Sequence, residues 1–296
     1  MTRGTFGERF GALTEIRATR PGAIEEAADR RVRRRRPIER SGRLLIVAAD
    51  HPARGSLRAG PDPLAMADRR DLLERVCRAL GRPGVDGVLG TPDLIEDLLL
   101  LGVLDGKVVL GSMNRGGLTG ASFEMDDRFT GYDAEGISRA GLDGGKMLLR
   151  VDEDDPATAR TLESCAGAVT ELAARRLIAL VEPFLCHRAG GRLHNVLTPE
   201  AMIRAIAIAS ALGTTSAYTW LKVPVVAEME RVMAASTLPA LLLGGEVPDD
   251  PEAVLAGWRK ALELPSVRGL VVGRSLLYPS GGDVEAAVDA AVEVLR

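Results

Sequence analysis

The feature that most constrains the fold of this chain is a repeated alternation of short apolar runs with longer helical stretches. Eight such runs occur from residue 43 onward; four end in glycine, and an aspartate directly follows two others. The runs are Leu44–Ala49, Asp86–Gly90, Lys107–Gly111, Lys146–Val151, Leu177–Phe184, Tyr218–Val223, Ala240–Gly244 and Leu270–Gly273. Because they are apolar throughout instead of alternating with polar residues, we expect strands that are buried on both faces, as in a parallel sheet.

The segments between these runs have the composition and end signals of helices. They are Pro63–Leu80, Thr91–Leu101, Pro156–Arg175, Thr198–Leu212, Pro251–Leu262 and Gly282–Leu295. Pro156, Pro199 and Pro251 occupy positions typical of a first helical turn, and Asp155 and Thr198 are candidate N-caps. The 256 residues from 41 to 296 divide into eight units of 32, which predicts an α/β fold of the (β/α)8 barrel type as the catalytic domain.

The alternative architecture is a doubly wound sheet. That fold usually has a glycine-rich phosphate-binding loop after its first strand. Here the first strand is followed by Asp50-His51-Pro52-Ala53-Arg54-Gly55, which is not such a loop. The sequence therefore favours the barrel, whose chemistry is expected at the C-terminal ends of the strands.

Residues 1–40 differ from the rest and are predicted to form an N-terminal helical extension. We expect a helix from Ala23 to Arg36, with acidic residues near its start and arginines near its end, as suits the helix dipole. The arginines are Arg30, Arg31, Arg33, Arg34, Arg35 and Arg36. They could bind polyanions, but the sequence favours a solvated or subunit-contacting helix face.

Composition excludes several classes of protein. The chain is 46% hydrophobic, which is too apolar for a disordered chain, and its three cysteines cannot form a disulfide framework. A net charge of -3 and an aromatic content of 3% argue against nucleic-acid binding. No signal peptide and no apolar run of membrane-spanning length is evident. We therefore expect a cytoplasmic protein without nucleic-acid or membrane partners. We also predict that it binds a small molecule and forms a homo-oligomer.

A lysine at the end of an apolar strand is the first candidate catalytic residue. Lys222 ends the run that begins at Tyr218, where a charged amine is costly unless it is paired or neutral. Burial and a neighbouring cation would lower its pKa, and a neutral amine can attack a carbonyl to form a Schiff base. The alternative is that Lys222 extends from the strand end into solvent or forms a structural ion pair.

Three further charged residues lie on other strands. Lys146 could supply the second cation, Glu182 could transfer protons, and Asp50 could exchange a proton with a substrate hydroxyl. Each could instead belong to a structural ion pair. Burying four charges for stability alone is unfavourable, however, so the set indicates a catalytic site.

Glycines after the last two strands indicate a phosphate site. Gly244 and Gly245 follow strand 7, and Gly273 and Arg274 follow strand 8. Backbone N–H groups after these strands form the usual phosphate site of such barrels, and an arginine fork suits phosphate. Either pair alone could be an ordinary loop.

These residues lie in segments that resemble class I aldolases. The segments are Asp50–Gly55, Asp143–Asp152, Glu182–Phe184, Leu221–Pro224, Leu242–Gly245 and Gly269–Arg274. The resemblance covers residues 43–278 and is greatest to the tagatose-bisphosphate and sulfofructose-phosphate aldolases, with archaeal-type fructose-bisphosphate aldolases more distant. It implies a metal-free barrel in which Lys222 forms the Schiff base, Glu182 carries protons, Lys146 is an auxiliary cation and Asp50 acts on the substrate hydroxyl. Arg54 and Arg150 lie in two of the segments and are expected to bind substrate.

The sequence also departs from that group. Its first motif tends to read Asp-Gln-Arg-Gly, whereas here His51-Pro52-Ala53 moves Arg54 two residues along, and the loop Gly116–Arg139 is specific to this chain. The chain is similar to an actinobacterial barrel group found among proteins of sugar and inositol catabolism. That likeness implies cleavage of 2-deoxy-5-keto-gluconate 6-phosphate to dihydroxyacetone phosphate and malonate semialdehyde.

Three alternatives remain open. A metal-dependent barrel aldolase or isomerase would need histidines and carboxylates at the strand ends. Cys186 and His187 could ligate zinc, with His194 seven residues beyond His187, although surface-loop histidines are the simpler interpretation. A non-catalytic barrel could bind a sugar phosphate, or a partner through its arginines. The aldolase residues would also permit condensation or transfer in place of cleavage.

Overall fold

Eight parallel strands close into a barrel in the computed structural model, which describes residues 5–34 and 42–296. The strands are β1 (Leu44–Ala48), β2 (Gly87–Gly90), β3 (Val108–Ser112), β4 (Gly144–Val151), β5 (Ile178–Ala189), β7 (Thr219–Val223), β8 (Ala240–Leu243) and β9 (Val267–Val272); β6 (Arg192–Asn195) is an added antiparallel strand. Each barrel strand pairs with the next along the chain, β4 pairs with β5, and β9 returns to β1. The predicted (β/α)8 barrel is confirmed, and the doubly wound alternative is wrong because the sheet has no open parallel edge.

Strand alternation divides the side chains between two layers. Alternate residues of β1, namely Leu44, Ile46 and Ala48, point into the barrel and join an inner apolar cluster, whereas Leu45 and Val47 join the larger cluster under the helices. The inner cluster fills the barrel with aliphatic side chains, as is usual for this fold. Polar residues of the same inward parity therefore appear only above it, towards the C-terminal ends of the strands.

Helices connect the strands and cover the outer face. They are α3 (Arg69–Gly81), α4 (Pro92–Leu101), α5 (Ala134–Arg139), α6 (Ala157–Ala174), α7 (Pro199–Ser210), α8 (Met229–Met233), α9 (Pro251–Leu262), α10 (Arg274–Leu277) and α11 (Val284–Leu295). The Thr198 side chain caps α7 as predicted, and Pro199 and Pro251 begin their helices. Asp155 was expected to cap α6, but Pro156 holds that position and the Asp155 carboxylate accepts from the Ala157 N–H. Among the described residues, no helix is long and apolar enough to cross a membrane.

The N-terminal extension packs against the barrel wall. Its helices α1 (Phe6–Thr19) and α2 (Ala23–Arg30) both contact α4, and Arg17 forms ion pairs with two acidic residues of that helix. The expectation of one helix from Ala23 to Arg36 is wrong, because α2 ends at Arg30. Arg35 and Arg36 lie outside the described residues.

Residues 31–34, here called the arginine strap, cross the N-terminal end of the barrel without helical structure. The Arg31 guanidinium donates to the carbonyl oxygens of Lys107 and Gly141, at 2.9 and 2.6 Å, and lies 3.7 Å from Asp143. Arg34 lies 2.6 Å from the carboxylate of Asp86. Tertiary ion pairs therefore replace the last helical turn that the sequence predicted, and buried Arg31 is not part of a solvated face.

The fifth strand extends well beyond the predicted Phe184. It continues to Ala189, turns at Gly190 and Gly191, and pairs with β6 as an antiparallel hairpin. Both glycines have positive φ angles, of 57° and 77°, which a tight turn here requires. Leu193 and Asn195 of this hairpin line a cavity at the C-terminal ends of the strands, so the hairpin is one of its walls.

Candidate active site

A cavity of about 820 Å³ opens at the C-terminal ends of the strands. Its walls come from the segments after β1, β3, β8 and β9 and from the β5–β6 hairpin. The predicted residues Asp50, Arg54, Arg150, Glu182, Lys222, Gly244, Gly245, Gly273 and Arg274 all line it. Lys146 lies beneath its floor, almost completely buried, in contact with residues that line it. The structure thus brings all the predicted site residues together.

Glu182 joins the two lysines at the floor of the cavity. Its Oε1 atom is 2.9 Å from Lys222 Nζ and its Oε2 atom is 2.5 Å from Lys146 Nζ. The register explains this arrangement, because Leu148 of β4 pairs with Glu182 and Leu221 of β7 pairs with Val181. The side chains of the two lysines and of Glu182 share the inward parity, so they meet above the aliphatic core.

The buried charges perturb one another. Burial lowers the pKa of Lys222, and it lowers the pKa of Lys146 well below its ordinary value, with Arg115 adding to the effect on both. Burial alone would raise the pKa of Glu182, but the two ammonium groups together hold it far below its usual range. Glu182 is therefore a carboxylate at neutral pH, and the neutral form of each lysine is more accessible than in water.

Asp50 is held by three donors on a single oxygen. Its Oδ2 atom accepts from Ser112 Oγ at 3.0 Å, lies 3.5 Å from Lys146 Nζ, and is also contacted by Arg115. Its Oδ1 atom is buried and has no hydrogen-bond partner. Ser112 and Arg115 were not among the predicted site residues. Their position directly after the third strand was the available signal, because strand ends form the site in a barrel.

Arg54 and Arg150 are already paired with carboxylates. Arg54 Nη1 lies 2.5 Å from Asp127, and Arg150 Nη1 lies 2.7 Å from Glu124. Burial lowers the pKa of Arg150, to which neighbouring Arg54 also contributes. Glu124 and Asp127 lie in the loop after β3 and were not among the predicted site residues.

The segments after β8 and β9 face the opposite wall. Gly245 has a φ angle of 68°, and a Cβ atom on Gly273 would lie 2.6 Å from the Ala48 carbonyl oxygen, so both positions require glycine. Arg274 contacts Glu246 through Nη1, while its Nε atom is buried without a partner. A cationic side chain with a free donor beside two glycine backbones has the chemistry of an anion site.

The proposed metal ligands lie on the β5–β6 hairpin. His187 and His194 pair across it with stacked rings 5.7 Å apart, and Cys186 pairs with Asn195. In residues 5–34 and 42–296, no three His, Cys, Asp or Glu side chains are grouped so as to hold a metal ion. The remaining histidine, His51, lines the cavity, where burial and then Arg274 and Lys222 lower its pKa well below the ordinary value.

Comparison with solved structures identifies the fold as an aldolase-like (β/α)8 barrel. A Schiff-base-forming fructose-1,6-bisphosphate aldolase matches with a TM-score of 0.62 at 19% identity, covering 92% of this chain and 100% of its own. An archaeal fructose-1,6-bisphosphate aldolase with its catalytic lysine bound to the carbinolamine intermediate gives the same TM-score and identity, covering 92% and 99%. At this identity the match establishes the fold alone.

The family is established by two further matches. The Cgl0159-like family model matches residues 42–292, and the chain belongs to that family. The crystal structure of Cgl0159 from Corynebacterium glutamicum is 54% identical, with a TM-score of 0.95, and the match covers 97% of both chains. No protein of curated function matches the sequence. The more specific likeness to tagatose-bisphosphate aldolases stays a prediction.

Proposed function

We propose that this protein is a class I aldolase that cleaves a phosphorylated ketose or keto acid through a Schiff base on Lys222. The observation that carries the proposal is the placement of the two buried lysines. Lys222 lines the cavity and contacts Glu182, whereas Lys146 lies beneath the same carboxylate with 1% of its side chain exposed. Of the two amines, Lys222 is therefore the one that a substrate carbonyl can reach.

The first stage of the proposed reaction needs Lys222 and Glu182. Glu182 takes a proton from the Lys222 ammonium, the neutral amine attacks the substrate carbonyl, and Glu182 returns that proton to the new alkoxide to give the carbinolamine. Glu182 then takes a proton from the carbinolamine nitrogen and gives it to the hydroxyl, which leaves as water and yields the iminium ion. The distance of 2.9 Å between Lys222 Nζ and Glu182 permits these transfers. Lys146 keeps Glu182 ionised between transfers.

The second stage breaks the carbon–carbon bond. The Oδ1 atom of Asp50, which is free of hydrogen bonds, takes the proton of the substrate hydroxyl. The aldehyde forms and departs, and the bonding electrons remain on the other fragment as an enamine of Lys222. Protonation and hydrolysis of the enamine release dihydroxyacetone phosphate and regenerate the amine.

The glycines and Arg274 are proposed to bind the phosphoryl group of the substrate. We take 2-deoxy-5-keto-gluconate 6-phosphate as the first candidate, cleaved to dihydroxyacetone phosphate and malonate semialdehyde in inositol catabolism. It carries one phosphoryl group, which would match the single arginine beside Gly244, Gly245 and Gly273. The sequence resemblance supports this candidate, and a substrate screen tests it.

Borohydride trapping tests the Schiff base. The chain has four lysines, at positions 107, 146, 222 and 260, so an adduct can be assigned unambiguously. The protein is incubated with dihydroxyacetone phosphate, reduced and mapped by mass spectrometry, and the adduct is expected on Lys222. Lys107 is an internal control, because burial lowers its pKa too but it lies at the other end of the barrel.

Two results would contradict the proposal. An adduct on another lysine, or no adduct at saturating ligand, would exclude Lys222 as the Schiff-base residue. Loss of turnover in EDTA would favour the metal-dependent alternative.

A further inference from the structure

We propose that Glu124 and Asp127 determine the substrate class, by cancelling the charge of the cavity wall opposite Arg274. The protein would then accept substrates with a single phosphoryl group and disfavour those with a second phosphoryl group at the far end. This inference rests on the function proposed above.

The barrel topology sets the two walls apart. Arg150 is on β4 and Arg274 follows β9, and these strands stand four places apart in the closed ring of eight. Both residues line the same cavity, so they face it from opposite sides. An extended substrate that places one end at Arg274 therefore presents its other end to Arg150. Arg54 follows β1, but its guanidinium shares Glu124 and Asp127 with Arg150 and so belongs to the same wall.

Both carboxylates are fixed in place from two directions. One oxygen of Glu124 accepts from the Gly120 N–H at 2.9 Å while the other contacts Arg150. One oxygen of Asp127 accepts from the Gly117 N–H at 3.2 Å while the other contacts Arg54. Backbone N–H groups of the loop therefore hold both carboxylates in place beside the two arginines.

The wall formed by Arg54, Arg150, Glu124 and Asp127 suits a substrate group of low charge. Two guanidinium groups and two buried carboxylates sum to zero, so a phosphate dianion at this wall would meet Glu124 without any net positive charge, and like-charge contacts are costly. Arg274 differs because its partner Glu246 is 66% exposed. Arg54 Nη2 and Arg150 Nε are buried and have no hydrogen-bond partner. Both arginines line the cavity, so a hydroxyl, a carbonyl or one carboxylate that reached these donors would bind without a second phosphate.

The test compares substrate pairs that differ only in the second phosphate. The 1-phosphates and 1,6-bisphosphates of fructose and tagatose are assayed for release of dihydroxyacetone phosphate. We expect kcat/KM to favour the monophosphates by about tenfold or more, as like-charge rejection predicts. Glu124→Gln and Asp127→Asn should each reduce that preference by about tenfold, because each leaves the wall with a net positive charge.

Asp126→Asn is the matched control. It removes a carboxylate from the same loop, but Asp126 contacts Arg128 and Arg160 instead of Arg54 and Arg150. The preference of this variant for monophosphates over bisphosphates should equal that of the unmodified protein. Borohydride trapping with dihydroxyacetone phosphate shows which variants retain a working site; if one acid variant fails to trap, the other is used.

The outcomes separate the two proposals. Trapping at Lys222 without any preference for monophosphates, or with a preference that neither acid variant changes, overturns the role of Glu124 and Asp127. Absence of trapping in the unmodified protein overturns the aldolase mechanism instead.

Discussion

The two ends of this barrel use the same kinds of buried charge for different purposes. At the N-terminal end, Asp86 and Asp143 each lie between an arginine of the strap and a backbone N–H of the preceding strand, from Leu45 and Val109. Each carboxylate thereby joins two neighbouring strands to residues 31–34. Contacts of this kind stabilise a fold and leave the paired carboxylate oxygens unavailable to a ligand.

At the C-terminal end, many polar atoms remain without partners. Within the described residues, five of the nine buried side-chain atoms that lack a hydrogen bond belong to cavity-lining residues. They are on Asp50, His51, Arg54, Arg150 and Arg274. The strap contributes one, on Arg31. Buried charges occur at both ends of the barrel. The candidate site differs from the structural ion pairs in having more polar atoms without a hydrogen-bond partner.

Substitution of the proposed nucleophile should give the largest effect. Lys222→Met is expected to reduce turnover by about 10⁴-fold or more, since removal of a nucleophile removes the covalent pathway. Its melting temperature should not fall, because Glu182 keeps Lys146 as a partner. Steady-state kinetics and thermal melts check both. Lys260→Met, at an exposed position on α9, is the control and should behave as the unmodified protein.

Lys146→Met should lower the rate by about hundredfold, the usual scale of a proton-transfer defect. It should also move the pH dependence of borohydride trapping. The trapping rate should rise with pH as Lys222 loses its proton, and burial places that rise below the ordinary lysine value of 10.5. Without the neighbouring cation the protonated form of Lys222 is favoured, so the rise should shift to higher pH. An unchanged or lower position would contradict the role of Lys146.

A substitution in the arginine strap should lower stability and leave activity unchanged, which is the reverse of the effect expected at Lys222. Arg31→Met removes the buried ion pair with Asp143 and should reduce the free energy of unfolding by about 3 kcal/mol. Its kcat/KM should remain within about twofold, since Arg31 lies at the far end of the barrel. Chemical denaturation and kinetics test this pair of outcomes. A loss of activity without a loss of stability would contradict a purely structural role for the charges at the N-terminal end of the barrel.

The smallest effect is expected at Arg274, the residue proposed to bind the phosphoryl group. Arg274→Met should raise KM for phosphorylated substrates by about tenfold, the loss of one charge-assisted contact, with little change for unphosphorylated analogues. Arg268→Met is the matched control, because it removes an exposed arginine at the other end of β9. Equal effects on both substrate types would argue against phosphate binding at Arg274.

Much of the fold could be predicted because the signals are local. Apolar runs placed seven of the eight barrel strands within three residues of their observed bounds, and helix signals did the same for α4, α6, α7, α9 and α11. The sequence also predicted that Lys146, Glu182, Lys222 and Asp50 would meet, since strand ends converge in a barrel. The β5–β6 hairpin was missed although Gly190 and Gly191 were a visible turn signal.

The errors fall where a residue's partner is distant in sequence. Arg31 and Arg34 continue a helical charge pattern, yet they leave the helix for aspartates more than 50 positions away. Arg54 and Arg150 looked like free cations for a substrate. Only the folded loop after β3 placed Glu124 and Asp127 beside them.

The sequence by itself therefore determined the barrel, the end at which its site lies and the lysine–carboxylate set, because periodicity and strand-end position are properties of short segments. The tertiary structure alone decided which buried charges are neutralised and which remain available. That outcome depends on contacts between loops from different units, and no local pattern encodes it.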